Sequence, residues 1–123
     1  MKGIGTDIVQ ISRIQASFEK QGERFVTRVL SVSEQAVFAK RGYSMAFLAN
    51  RFAAKEAIAK ALGTGIAKGV TFADIQIIPG PMGEPQVTLS NVALTRLHEL
   101  GAKEVKVTLS DEQDYAVAFA VLL

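Results

Sequence analysis

The chain of 123 residues has no cysteine, no tryptophan, a single histidine and three prolines. Without cysteine there is no disulfide framework, no thiolate metal site and no thiol nucleophile. The one histidine, His98, falls near the end of a predicted helix, where stabilising the C-terminus is a sufficient role for it. Long apolar runs are also missing. The most apolar tract, "YAVAFAVLL", has nine residues, too few to span a bilayer, and no signal-peptide pattern is present. Nor is there a Walker GxxxxGK[ST], which argues against a P-loop nucleotide hydrolase. A cytoplasmic protein without membrane association is the default expectation.

What is present describes one folded domain over residues 1–123: 49% hydrophobic and 21% charged, with no repeat, low-complexity tract or linker. The net charge of +2 hides a split, since residues 1–70 carry eleven Lys/Arg against five Asp/Glu and residues 71–123 carry three against seven. A basic first half suits an anionic partner: phosphate, nucleic acid or an acidic protein. Opposed faces of one domain, or subunits attracting each other, would produce the same split.

Periodicity places helices mainly in the first half and antiparallel strands mainly in the second, an α+β arrangement. "KGIGTDIVQI" (2–11) alternates as a strand, with Ile4, Thr6 and Ile8 on one face and Gly3, Gly5, Asp7 and Val9 on the other. Ser12 is a plausible N-cap for a short helix that Gly22 stops, and Ser31 with Glu34 forms a capping-box pattern for a later one. A long helix runs from about Ser44 to Leu62, closed by "GTG". Strands are predicted over 70–78, 85–89, 103–110 and 115–123, with a helix from Ser90 to Leu100.

The long helix, "NRFAAKEAIAKAL", has no continuous polar face. With Arg51 at zero on a wheel of ~100° per residue, Lys55 lies near ~40°, Glu56 near ~140° and Lys60 near ~180°. Bulky residues surround the first stripe, and Ala54, Ala57 and Ala61 form a small-residue side. Such a helix is embedded, so its charges must be paired, snorkel to an edge or face a polar cavity. For Glu56 and Lys60 the plain alternative is an exposed i,i+4 ion pair worth ~0.3–0.5 kcal/mol. Arg51 and Lys55 could both be snorkelling side chains. The chemical alternative joins Glu56 to Asp7, which shares its strand face with two glycines. Two such carboxylates are hard oxygen ligands of the kind Mg²⁺ takes, completing its shell with water and phosphate. Lys60 would then meet a phosphate oxygen, with unobstructed backbone N–H groups of "GTGI" beside it.

Three stretches, "GIGTDIV", "RFAAKEAIAKALGTGI" and the closing "VTLSDEQDYAVAFAVLL", in this order and at this length, resemble the bacterial holo-acyl-carrier-protein synthases, the small branch of the 4′-phosphopantetheinyl transferases. The resemblance spans essentially the whole chain, and the mid-chain motif is its most specific part. It implies the fold of that family and transfer of 4′-phosphopantetheine from coenzyme A to a serine of apo acyl carrier protein, with release of adenosine 3′,5′-bisphosphate, in support of fatty acid biosynthesis.

It further implies Mg²⁺ held by Asp7 and Glu56, with Lys60 neutralising phosphate charge, so that positioning and charge stabilisation supply most of the catalysis. Glu56, or a metal-bound water assisted by Asp7, is the candidate base for the serine. Arg51, Lys60 and Gly63, Thr64 and Gly65 match positions near coenzyme A. Arg13, Lys20, Arg24 and Arg28, with Phe25 as an apolar contact, match the surface that takes the acidic carrier protein. A homotrimer with sites between subunits is the expected assembly. One departure is Asp111, where many relatives have a histidine near a coenzyme A phosphate; that contact is not carried over. The rival reading, a non-catalytic basic module for RNA or another anion, explains the charge split. It gives Asp7 and Glu56 no role, and no aromatic-rich base-stacking strand supports it.

Overall fold

One helix organises the molecule. In the computed structural model, which describes every residue from Met1 to Leu123, the elements run β1 (Gly3–Gln10), α1 (Ile11–Gln21), α2 (Glu23–Val29), α3 (Val32–Lys40), α4 (Met45–Ala61), a 3₁₀ turn (Phe72–Asp74), β2 (Ile75–Pro79), β3 (Pro85–Leu89), α5 (Asn91–Glu99), β4 (Val105–Asp111) and β5 (Tyr115–Leu122). The Ser44 side chain caps α4 by accepting from Phe47 N. At its other end Gly63, at φ +78°, turns the chain so that Gly63 N reaches Lys60 O at 2.9 Å and Thr64 N reaches Ala59 O at 3.2 Å. That pairing is a Schellman motif, which satisfies carbonyls a helix end otherwise leaves open. Eleven of the 17 residues of α4 are buried, Arg51 and Lys55 among them. The helix is embedded, as its sequence pattern requires.

α4 packs chiefly on an antiparallel sheet of order β1-β5-β4. The inward residues of β5 are Ala116, Ala118, Ala120 and Leu122, all fully buried. β1 turns Gly3, Gly5, Asp7 and Val9 inward, the face predicted from its alternation. The glycines have a steric reason: a Cβ on Gly5 would sit 2.1 Å from Ala57 O, and one on Gly3 would sit 2.3 Å from Ala61 O. Only a bare backbone lets the helix lie this close to the strand. The outward face of the same sheet exposes Ile4 and Ile8 of β1 with Tyr115, Val117 and Phe119 of β5.

Three local expectations change. Residues 70–78 are not one strand, because Asp74 winds the chain into the 3₁₀ turn: its carboxylate accepts from Thr71 N at 3.2 Å and from Asn91 Nδ2 at 2.9 Å, so β2 begins only at Ile75. Ser12 is not an N-cap. Ile11 N donates to Asp114 O at 2.8 Å, carrying β1 directly into α1 with Gln10 at the cap position. The strands also form two sheets, since β2 and β3 pair only with each other. The Ser31–Glu34 capping box forms as the spacing predicts, with Glu34 N donating to Ser31 Oγ and Ser31 N donating to Glu34 Oε1.

Candidate active site

Because Gly3 and Gly5 bring β1 against α4, the half-buried Asp7 on the strand and Glu56 on the helix come near enough for the Asp7 charge to act on Glu56. Lys60, one turn beyond Glu56, does not pair back along the helix. Its Nζ crosses to β1, donating to Thr6 O at 2.9 Å and Asp7 Oδ1 at 3.1 Å, so the simple i,i+4 ion pair with Glu56 is not formed. Burial raises the Glu56 pKa above the ordinary carboxylate value, and the neighbouring Asp7 charge raises it further; Lys60 and Arg13 partly oppose both. Desolvation is the larger cause and repulsion between the two carboxylates the smaller one.

Two neighbouring carboxylates are a donor pair that fits a bound cation. No third Asp, Glu, His or Cys joins the pair, so the chain offers two hard oxygen ligands and no more. This donor set suits Mg²⁺, which keeps several waters and takes substrate phosphate oxygens, and is a poor match for a closed structural metal site.

The structure separates Arg51 from this group. It points to the other side of α4, its guanidinium 4.4 Å from the centroid of the Phe47 ring. Arg51 is 6% exposed, has no hydrogen-bond acceptor within the chain, and its buried Nε is unpartnered. Burial disfavours its charge, while Glu34 favours it and Arg41 disfavours it. A buried guanidinium without an acceptor is costly unless an anion reaches it. Beside it, Asn50 Nδ2 donates to Asp111 Oδ2, so Asp111 is tied to α4.

Two expectations about site residues need correction. The N–H groups of Gly63, Thr64 and Gly65 are not free for phosphate: they donate to Lys60 O and Ala59 O, completing the end of α4. Phe25 is not an exposed apolar contact. It is 2% exposed, its ring 6.3 Å from that of Phe52, because the apolar stripe of the short α2 turns toward the core. Arg13, Lys20, Arg24 and Arg28 are all exposed and form no ion pair within the chain, leaving a basic surface on α1 and α2. Arg28 lies 5.5 Å over the Phe25 ring and is the only one of the four that packs on an aromatic face.

The pairing of Lys55 escaped sequence reasoning. Lys55 does not snorkel: it is fully buried and bonded to Glu34 at 2.6 Å. Glu34 read only as a capping residue, yet it is the sole Asp or Glu between residues 24 and 55. An embedded lysine demands a carboxylate, and that demand was the available signal.

The fold is that of a small α+β protein in which two carboxylates and a lysine come together between β1 and α4. The chain belongs to the 4′-phosphopantetheinyl transferase superfamily, whose family model matches residues 3–120. It is 48% identical over 120 residues to the holo-[acyl-carrier-protein] synthase of Shewanella amazonensis, covering 98% of this chain and 96% of that one. The same-named protein of Halorhodospira halophila is 46% identical over 121 residues, again with 98% and 96% coverage. In three dimensions the chain matches the crystal structure of holo-[acyl-carrier-protein] synthase from Neisseria meningitidis with a TM-score of 0.90 at 42% identity, covering 100% and 98% of the two chains. The Helicobacter pylori holo-[acyl-carrier-protein] synthase in complex with coenzyme A matches with a TM-score of 0.86 at 32% identity, covering 98% and 99%. The resemblance carried by the three sequence motifs therefore holds along the whole chain.

Proposed function

We propose that this protein transfers 4′-phosphopantetheine from coenzyme A to a serine of apo acyl carrier protein, releasing adenosine 3′,5′-bisphosphate and supplying holo carrier protein for fatty acid biosynthesis. The observation that carries this is the grouping of Asp7, Glu56 and Lys60 between β1 and α4 on a fold shared over its full length with holo-[acyl-carrier-protein] synthases. In this reaction the serine oxygen bonds to the phosphorus bearing pantetheine. The pyrophosphate bridge to the nucleotide breaks, and the serine proton must leave.

Asp7 and Glu56 would hold Mg²⁺, which when bound supplies neutralising charge for the pyrophosphate. Lys60, oriented by Thr6 O and Asp7 and still half exposed, can turn a proton toward a phosphate oxygen. The serine proton would pass to Glu56 or to a water assisted by Asp7. The unpartnered Arg51 guanidinium is suited to another phosphate of coenzyme A. The unpaired Arg13, Lys20, Arg24 and Arg28 supply the positive surface that an acidic carrier protein would meet, and the Arg13 charge is felt at Glu56.

A homotrimer is supported by the outward sheet face, where Ile4, Ile8, Val117 and Phe119 are 37–62% exposed on adjacent paired strands. Such a contiguous apolar patch is suited to covering by further copies of the chain. No helix is long and apolar enough to cross a membrane. The test is to incubate the protein with coenzyme A, Mg²⁺ and an apo acyl carrier protein and to weigh the carrier. A gain of one phosphopantetheine is expected, and no gain across several carriers would defeat the proposal.

A further inference from the structure

Lys55 is adjacent to Glu56 in sequence and faces a different environment. Its ammonium has three protons and donates to three acceptors: Val29 O at 2.5 Å, Glu34 Oε1 at 2.6 Å and Phe72 O at 3.0 Å. Glu34 is equally saturated, since Oε1 also accepts from Ser31 N and Oε2 accepts from Ile77 N, both at 2.8 Å. Both side chains are fully buried. At this one point α4 is bonded to the end of α2, the start of α3 and the 3₁₀ turn, and through Glu34 to β2.

A buried ion pair is a poor device for stability alone, because apolar side chains of similar size often serve as well or better. Directional bonds offer orientation, and α4 needs it. Toward β1 and β5 the helix presents Ala53, Ala54, Ala57 and Ala61 to a strand cleared by Gly3 and Gly5 and to the alanines of β5. A seam this smooth has few knobs to stop a helix rolling or sliding. With Lys55 bonded at three acceptors, the next side chain must project ~100° further round the axis, and there Glu56 faces Asp7.

We propose that Lys55 and Glu34 are positioning residues for the metal site: by locking the roll of α4 they hold the Glu56 carboxylate opposite Asp7 and set the affinity for the divalent cation. This rests on the function proposed above. Residues that orient a metal ligand typically change metal affinity 10–100-fold when altered.

The test uses the full chain with Mn²⁺ alone as the probe, its binding followed by electron paramagnetic resonance. The double variant Glu34→Gln, Lys55→Met removes both charges together and avoids stranding one of them. Circular dichroism checks that it folds. It should bind Mn²⁺ about tenfold more weakly than the unaltered protein. The Mg²⁺ concentration for half-maximal transfer should rise in step, with KM for coenzyme A at saturating Mg²⁺ unchanged. A folded double variant with unaltered Mn²⁺ affinity overturns the inference. Should the double variant not fold, Glu34→Asp, which keeps the charge and shortens its reach, decides in the same way, weaker binding supporting the inference and unaltered binding overturning it. The unaltered protein and Glu56→Gln keep the two proposals apart. Mn²⁺ binding that is absent from the first, or survives in the second, defeats the metal site itself.

Discussion

Lys55 and Glu56 are neighbours on one helix and belong to opposite kinds of environment. The Lys55 side is closed and saturated, each polar atom matched by a partner from another segment. The Glu56 side is half open, with Glu56 desolvated beside the Asp7 charge, bonded to no partner, and Lys60 spread between Thr6 and Asp7. A satisfied cluster spends its interactions within the fold. An unsatisfied one keeps them for a ligand, and this difference separates Lys55 from Glu56, while Arg51 on the Lys55 stripe stays unpartnered.

The comparison can be broken most forcefully on the closed side. Lys55→Met alone leaves the Glu34 charge buried and unpaired, so it should cost about 3–5 kcal/mol of stability, more than the double variant does. Denaturant unfolding of the single and double variants checks this, and equal losses would mean that the pair is not the closed unit described. On the open side Glu56→Gln should leave the fold intact and lower transfer by about 10²–10³-fold, the range for removing one group that stabilises transition-state charge. Carrier mass gain over time measures it, and near-normal turnover would remove Glu56 from the chemistry.

Between the sides lies the contact of helix on strand. Gly5→Ala puts a methyl group 2.1 Å from Ala57 O, where neither backbone can yield cheaply. It should cost about 1–3 kcal/mol by overpacking and also slow transfer, because β1 carries Asp7 with it. Lost stability with undiminished transfer would show that the site does not depend on this close approach.

The smallest effect is electrostatic. A carboxylate whose pKa is raised on folding binds more protons folded than unfolded, between its unfolded value near ~4.3 and its raised folded value, so its contribution to stability falls as pH rises through that window. Burial and Asp7 place Glu56 in this class. Without metal, Glu56→Gln should therefore melt above the unaltered protein at neutral pH, and the two should converge below about pH 4. Calorimetry from pH 4 to 7 reads the difference. A gap that does not change with pH would show that Glu56 carries no such penalty.

Much of the fold was legible because it is locally encoded. The alternation that turned Gly3, Gly5 and Asp7 to one face, the Ser31–Glu34 capping box and the glycine end of α4 each need only a few adjacent residues. The 3₁₀ turn at Phe72 had a local signal in Thr71 and Asp74, three residues apart, masked by the β-branched and apolar residues around it, whereas the bond from Asn91 to the same carboxylate, seventeen positions away, was not legible. The same limit hid the burial of Phe25, which depends on Phe52 across the core. It also hid the fate of the "GTG" amides, drawn back onto α4.

By itself the sequence determined that one helix is embedded, that its charges need partners, that Asp7 and Glu56 are candidates to act together, and which family the motifs resemble. Periodicity and residue type carry that much, because burial and propensity act along the chain. Tertiary structure alone decided which charge meets which. Lys60 took Asp7 over Glu56, and Lys55 took Glu34 from twenty-one residues away, because the directions of side chains on packed elements select among chemically equivalent partners.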